Sequence, residues 1–308
     1  MHEHSFEGRV AIVTGAGRGI GRSHALLLAE RGACVVVNDL GGSMEGVGRD
    51  AAPALSVVAE IVEGGGVAIA DSGDVATEAG AEALVSTAVE RFGRVDVLVN
   101  NAGIMRWAGF PDADADNLER HLAVHVAGSF NTARAVWPHM VERGYGRIVM
   151  TTSTGLFGLP ANLSYAAAKG AVIGLTRSLT TAGAPLGIKV NAIAPAAVTR
   201  MAGGAGDDAS GGGAAQMAPE LVAPMVAFLA HESCPVSGEI YTAGAGRFAR
   251  IFIAETAGYL HSEGVPTIED VAAHWASIND PTTYSVPRDL MDWSAAFMAH
   301  LSEGGPSA

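Results

Sequence analysis

Seven short apolar runs recur along the chain, and the longer stretches between them space their apolar residues three or four positions apart. Four runs are continuous and rich in β-branched residues: RVAIVT at 9–14, ACVVVN at 33–38, VDVLVN at 95–100 and RIVMTT at 147–152. Three are weaker, GVAIA at 66–70, KVNAIA at 189–194 and EIYTA at 239–243. A strand that is apolar without alternation is buried on both faces, the setting of a parallel sheet covered by helices. The intervening periodicity predicts helices over 19–31, 51–63, 77–91, 116–143, 163–182 and 219–231. Strand and helix alternate through about residue 245, which predicts a doubly wound α/β fold with a mainly seven-stranded parallel sheet.

Two stretches break this rhythm. GGAGDDASGGGAA at 203–215 reads either as a flexible linker or as a mobile lid, about 201–217, over the edge of the sheet where a substrate would enter. The tail, 248–308, carries two helical patterns, TIEDVAAHWASI and RDLMDWSAAFMAHL, with Thr267 and Asp270 spaced as a capping pair. The expected organisation is therefore one domain over 1–247 and a helical appendage over 248–308.

Composition narrows the partners. Of 308 residues, 49% are hydrophobic and only 17% charged, and the net charge is −13, which argues against a surface that tracks nucleic-acid phosphates. Cys34 and Cys234 form no disulfide framework, the N-terminal stretch lacks the apolar core of a signal peptide, and no run approaches the roughly 18 apolar residues of a membrane span. A soluble, cytoplasmic protein with a small-molecule substrate is expected, with neither nucleic acid nor membrane as partner.

The candidate chemistry starts at TGAGRGIG, residues 14–21, which leaves the first strand and opens the first helix. Gly15 permits the turn, while Gly19 and Gly21 let backbone and helix end approach a pyrophosphate. Asp39 follows Gly15 by 24 residues at the end of the second strand, where a carboxylate accepts ribose hydroxyls and repels a 2′-phosphate. Arg18 argues the other way, as a cation in the phosphate loop. One acid at the ribose outweighs one flexible cation, so NAD is expected over NADP. Further on, Tyr165 and Lys169 stand one helical turn apart, twelve residues after Ser153. A free phenol, with a pKa of about 10, is a poor base; bringing it near neutrality takes roughly 3 units, about 4 kcal/mol, which Lys169 and an oxidised nicotinamide together can supply.

TGAGRGIG, NNAG at 100–103, Ser153, Tyr165 and Lys169, in that order and spacing, resemble the short-chain dehydrogenase/reductase family over about residues 6–247. The resemblance implies a Rossmann-like fold and a catalytic set of Ser153, Tyr165 and Lys169. Ser153 would hold the substrate oxygen, Tyr165 would act as base, and Lys169 would pass the proton outward; Tyr165 and Lys169 would also hold the nicotinamide ribose. It further implies Gly15, Arg18, Gly19 and Ile20 around the phosphates, Asp74 and Val75 at the adenine, and Asn101, Ala102 and Gly103 at the adenosine ribose. Asp74 is equally compatible with capping a helix. Pro195, Val198 and Thr199 would grip the nicotinamide amide, although Ala196 replaces a usual glycine and Thr199 stands one place short of the usual threonine. His125 takes the place of a common active-site asparagine, either joining its water relay or packing there. His121 and His125 are four apart, but no third ligand is in reach by sequence and no metal is expected. Members of the family pair through helices equivalent to 116–143 and 163–182, which implies a homotetramer or homodimer.

Within the family, VVVNDLGGSMEGVGRDA, VHVAGSF, YGRIVMT and LAHESCPVSGEIYTAGAG resemble the (3R)-hydroxyacyl-CoA dehydrogenase units of type 2 multifunctional enzymes, whose relatives also carry a histidine at the asparagine position. The tail after Ala249 shows no such likeness. The implied activity is reversible, NAD-dependent oxidation of a secondary alcohol, either a 3-hydroxyacyl-CoA or a hydroxysteroid. Two alternatives stand beside it: an NADPH-dependent 3-oxoacyl carrier-protein reductase, against which Asp39 argues, and a non-catalytic nucleotide sensor, which would not need the Tyr–Lys pair.

Overall fold

The computed structural model describes residues 4–199, 215–262 and 264–303. The chain separates into two compact units, Met1–Arg250 and Ile251–Ala308. The first alternates β1 (Val10–Thr14), α1 (Gly19–Glu30), β2 (Cys34–Asn38), α2 (Ala52–Glu63), β3 (Val67–Asp71), α3 (Glu78–Phe92), β4 (Val97–Asn100), α4 (Ala115–His121), α5 (Gly128–Arg143), β5 (Gly146–Thr151), α6 (Leu163–Gly183), β6 (Ile188–Pro195), α7 (Ala223–Ala230) and β7 (Ile240–Gly244), and closes with β8 (Arg247–Ile251). The strand order is β3-β2-β1-β4-β5-β6-β7-β8, and the ladders from β3 to β7 are parallel. The order reverses beside β1, so a crevice opens above the carboxyl ends of β1 and β4.

The continuous apolar strands bury both faces, as expected. On one face Val13, Val37 and Val99 pack with Leu28 of α1, Val57 of α2 and Val226 of α7. The alternate residues Ile12, Val36 and Leu98 are equally buried. Each such side chain contributes about 1.5–3 kcal/mol, offset by the cost of ordering the chain around it.

The sheet has one strand more than expected. β7 turns back into β8 through Ala245 and Gly246, both at positive φ (50° and 71°), the geometry of a tight two-residue hairpin. β8 is an exposed edge strand reading RFARI, so its apolar signal is weak. The predicted helix over 116–143 is interrupted: between α4 and α5 the segment Leu122–Ala127 is a π-helical turn. The expected lid falls mostly outside the described residues; Ala215–Met217 forms a short 3-10 turn.

In the second unit Thr267 and Asp270 form a reciprocal capping box at the start of α8 (Ile268–Ala273), followed by α9 (Trp275–Ile278), α10 (Leu290–Phe297) and α11 (Ala299–Glu303). The unit is not purely helical, since β9 (Glu255–Thr256) pairs antiparallel with β10 (Tyr284–Ser285). Trp293 Nε1 donates to Glu255 at 2.6 Å, and the Tyr259 ring lies flat on His274 with centroids 3.6 Å apart.

Candidate active site

Above the crevice lies a cavity of about 220 Å³, lined among others by Gly15, Arg18, Gly19, Ile20, Asp39, Asp74, Val75, Asn101, Ala102, Gly103, Val198 and Thr199. Its floor is built from close backbone packing. A Cβ on Gly21 would lie 2.2 Å from the Gly15 carbonyl oxygen, and one on Gly15 would lie 2.8 Å from Ala102 Cα. Gly19, at φ +53°, has only Thr199 within reach among the described residues, its methyl at 3.5 Å, so space is open there. α1 starts with no side-chain cap and no acidic residue in its first turn, leaving its first amides available to an anion. The glycine cradle and uncapped helix fit a dinucleotide pyrophosphate.

Asp39 stands at the ribose position with both oxygens engaged: Oδ2 accepts from the Gly17 amide and Oδ1 from the Gly41 amide, each at 2.7 Å. Each oxygen keeps a second lone pair for a hydroxyl donor. Asn101 Nδ2 donates to the Thr14 and Gly15 carbonyls at 3.0 Å, and the Asn101 and Ala102 amides both donate to Thr14 Oγ1. Asn100 braces α5 in the same way, accepting from Thr132 and donating to the Ser129 carbonyl. Asp74 accepts from the Ala76 amide; the cap of α3 is Thr77, so the helix-capping alternative for Asp74 is not what forms. Pro195, at the end of β6, does not line the cavity.

Ser153, Tyr165, Lys169 and His125 sit outside that lining, in a second, more enclosed cluster. Ser153 caps a short turn and accepts from the Gly155 amide at 3.0 Å. Burial raises the Tyr165 pKa above its ordinary value, although the neighbouring Ser153 hydroxyl works the other way. Lys169 is 3% exposed; its Nζ donates to the Thr151 carbonyl at 2.7 Å and stands 5.6 Å from the Tyr165 ring centroid. Burial lowers its pKa to about 7. In the protein alone burial disfavours both ions at once; the expected lowering of the phenol pKa belongs to Lys169 and an oxidised nicotinamide together. His125 occupies the π-helical turn, its Nε2 2.9 Å from the Ile104 carbonyl and 3.3 Å from the Ile104 amide, and its buried Nδ1 has no partner among the described residues. Burial, then the nearby Lys169, holds His125 well below its usual pKa.

These features place the chain among known proteins. The family model for short chain dehydrogenase matches residues 9–209. A short-chain type dehydrogenase/reductase of Mycobacterium tuberculosis is 44% identical over 88% of this chain and 94% of its own. The chain belongs to the short-chain dehydrogenase/reductase family. The peroxisomal multifunctional enzyme type 2 of Drosophila melanogaster is 40% identical over 98% of this chain and 51% of its own length. Its full-length structure superposes with a TM-score of 0.78 at 31% identity, over 97% of this chain and 50% of that one. This chain thus spans about half of that enzyme. A 7α-hydroxysteroid dehydrogenase complexed with NADH and 7-oxo glycochenodeoxycholic acid superposes with a TM-score of 0.69 at 31% identity, over 79% of this chain and 95% of that one.

This short-chain dehydrogenase/reductase departs from the sequence reading in its tail and in the lining of its cavity. The match to the Drosophila enzyme runs through the tail, correcting the view that likeness ends at Ala249. His121 and His125 stack at 5.9 Å, both set edge-to-face with Tyr165, and His121 Nδ1 contacts the Asn117 carbonyl at 2.7 Å; no group of three metal-ligating side chains converges among the described residues. Ser43, Met44, Gly46 and Arg120 also line the cavity. The signal for the first three was the insertion after Asp39; Arg120 gave none.

Proposed function

We propose that this short-chain dehydrogenase/reductase catalyses reversible, NAD-dependent oxidation of the secondary alcohol of a 3-hydroxyacyl-CoA. The observation that carries the reading is the Ser153–Tyr165–Lys169 cluster in a chain whose ribose position holds Asp39. The likeness to a peroxisomal multifunctional enzyme along nearly the whole chain supports the acyl-CoA. Gly15, Gly19 and the start of α1 would hold the pyrophosphate, Asp39 the adenosine ribose, and Val198 and Thr199 the nicotinamide end. When bound, the dinucleotide supplies the hydride acceptor and a positive charge that opposes the effect of burial on Tyr165. Ser153 Oγ would hold the substrate oxygen beside Tyr165, which first gives up its phenol proton outward by way of Lys169 and then, as phenolate, takes the alcohol proton. Lys169, with a pKa of about 7, can accept or release a proton at neutral pH and keeps the site from storing charge. A hydroxysteroid is the second reading, favoured by the likeness to the hydroxysteroid dehydrogenase.

A panel of 3-hydroxyacyl-CoAs and hydroxysteroids, assayed with NAD and with NADP by absorbance of the reduced nicotinamide, tests both cofactor and substrate. Preference for NADP, with reduction of a 3-oxoacyl carrier protein, would replace the proposal with the reductase alternative. We place the enzyme in a reducing cytoplasm, consistent with unpaired Cys34 and Cys234, and as a homotetramer or homodimer through the faces of α5 and α6, where Phe130, Val141 and Leu163 are exposed. A monomer mass by light scattering at micromolar concentration would refute the assembly. No described helix is long and apolar enough to cross a membrane.

A further inference from the structure

The insertion after Asp39 folds into a closed loop. The Asp50 amide donates to the Leu40 carbonyl at 3.0 Å, joining its two ends, and Ser43 N donates to the Val47 carbonyl at 2.8 Å within it. From this loop, ties run to every side of the adenosine half of the cleft. Gly41 N holds Asp39 Oδ1 at 2.7 Å, and Arg49 lies 3.9 Å from Asp74. The Met44 carbonyl accepts from the Met105 amide at 2.9 Å, and the Gly46 carbonyl from Arg120 Nη2 at 3.1 Å. Gly46 presses on the next layer: at φ +81°, a Cβ there would lie 2.8 Å from Ile104 Cγ2. Ile104 in turn faces His125 Nε2 with its carbonyl at 2.9 Å and its amide at 3.3 Å, and the His125 ring stands perpendicular to Tyr165 at 5.2 Å.

We propose that residues 40–50 are a positioning strap that couples seating of the adenosine half of the dinucleotide to the alignment of His125 against Tyr165. The inference rests on the dinucleotide reading given above and assigns a role to residues that need touch no reacting atom. A dinucleotide packed against Ser43, Met44 and Gly46 presses the strap onto Ile104 and Met105, and the Ile104 carbonyl sets the His125 ring. Each step within the protein is a direct contact, so the coupling from the cavity wall to Tyr165 has a continuous physical path. Arg120 is a positioning residue in this scheme. It has no carboxylate partner among the described residues, and its one described bond fixes the tip of the strap.

The test uses the full chain and two variants. Arg120→Met keeps the apolar stem and removes the donor; Gly46→Ala forces Ile104 to move. Three quantities are read: NADH affinity by fluorescence titration, kcat at saturating cofactor, and the His125 ring resonance with and without NADH. The strap predicts that NADH shifts the His125 resonance in wild type and shifts it less in both variants. It also predicts that Arg120→Met weakens NADH and lowers kcat, each by about 3- to 10-fold, the size of one lost hydrogen bond. Weakened NADH with unchanged kcat and an unchanged His125 response would reduce the loop to a roof over the cofactor and overturn the coupling. No effect on affinity would overturn it as well. If Gly46→Ala does not fold, Arg120→Met at unchanged melting temperature decides alone. A wild-type protein that binds no NADH removes the cofactor reading and the strap together. NADH binding with the predicted resonance shifts, but no turnover across the substrate panel, removes the substrate reading and leaves the strap supported.

Discussion

Above closely packed Gly15 and Gly21 the chain leaves room at Gly19 and offers the backbone amides of a helix start, whereas around Ser153, Tyr165 and Lys169 it closes in and buries ionisable groups. The first half of the cleft works by shape. Its electrostatics come from a helix end and from Asp39, whose geometry is set by two amides. The second half works by proton affinity: burial moves Tyr165 up and Lys169 down to about 7, so at neutral pH the phenol keeps its proton while the lysine is poised to gain or lose one. A change of size should therefore damage the first half most, and a change of chemistry at constant size should damage the second.

The sharpest case is Tyr165→Phe, which deletes one oxygen. Turnover should fall by at least about 10³-fold, since a proton acceptor is lost, while NADH affinity stays within about 3-fold. Lys169→Ala should damage both. His125→Asn should keep activity within about 10-fold, because a histidine held far below its ordinary pKa by burial is a weak base. Steady-state rates and NADH titrations on the three variants check this. An active Tyr165→Phe beside a dead His125→Asn would move the base to His125 and dissolve the contrast between the halves.

Gly19→Ala probes the other half by adding one methyl. The nearest described atom is 3.5 Å away, so the side chain fits the protein, at the cost of about 1–2 kcal/mol for its positive φ. NADH affinity should fall by about 10- to 100-fold, as overpacking a contact site costs 1–3 kcal/mol. Unchanged affinity would show that the cradle does not hold the pyrophosphate. Asp39→Ala is milder in total binding but selective. The ratio of catalytic efficiency with NAD to that with NADP should narrow by about 10-fold, through lost hydroxyl bonds and relieved phosphate repulsion. A wild-type preference for NADP would refute the role assigned to Asp39.

How far each half could be read from sequence follows the same division. The parallel sheet was legible because its strands are continuous apolar runs, and the glycine cradle because only glycine satisfies that turn and that approach. β8 was not, since an edge strand reading RFARI keeps no buried face and its turn uses Ala245–Gly246 rather than a strong hairpin pair. Ser153, Tyr165 and Lys169 could be named from their spacing, but not the direction in which burial moves the phenol, because enclosure is set by residues far apart in the chain. The π-helical turn at 122–127 was invisible for a related reason: it changes the register of a helix without altering its apolar pattern. Two of the strap ties end on the Met44 and Gly46 carbonyls, and a backbone carbonyl leaves no residue signature.

One residue of the cofactor half runs against the comparison. His24, in α1, is 1% exposed, and neither ring nitrogen has a hydrogen-bond partner among the described residues. Burial lowers its pKa from 6.5 to about 3. The folded protein thus refuses a proton that the unfolded chain accepts below its ordinary pKa of about 6.5. Stability is unaffected by this group above that pH and declines as the pH falls toward 3, by up to about 1.4 kcal/mol per unit. His24→Leu, of similar bulk and without a titrating group, should remove that slope and leave kcat at neutral pH nearly unchanged. Between pH 6.5 and 5 the wild type should lose about 2 kcal/mol relative to the variant, read from urea midpoints. His121 and His125 are also lowered by burial, and their contribution is common to both proteins, so the difference isolates His24. Parallel stability curves for wild type and variant would mean that His24 takes up its proton without cost, and the cofactor half would then hold no buried group under electrostatic penalty.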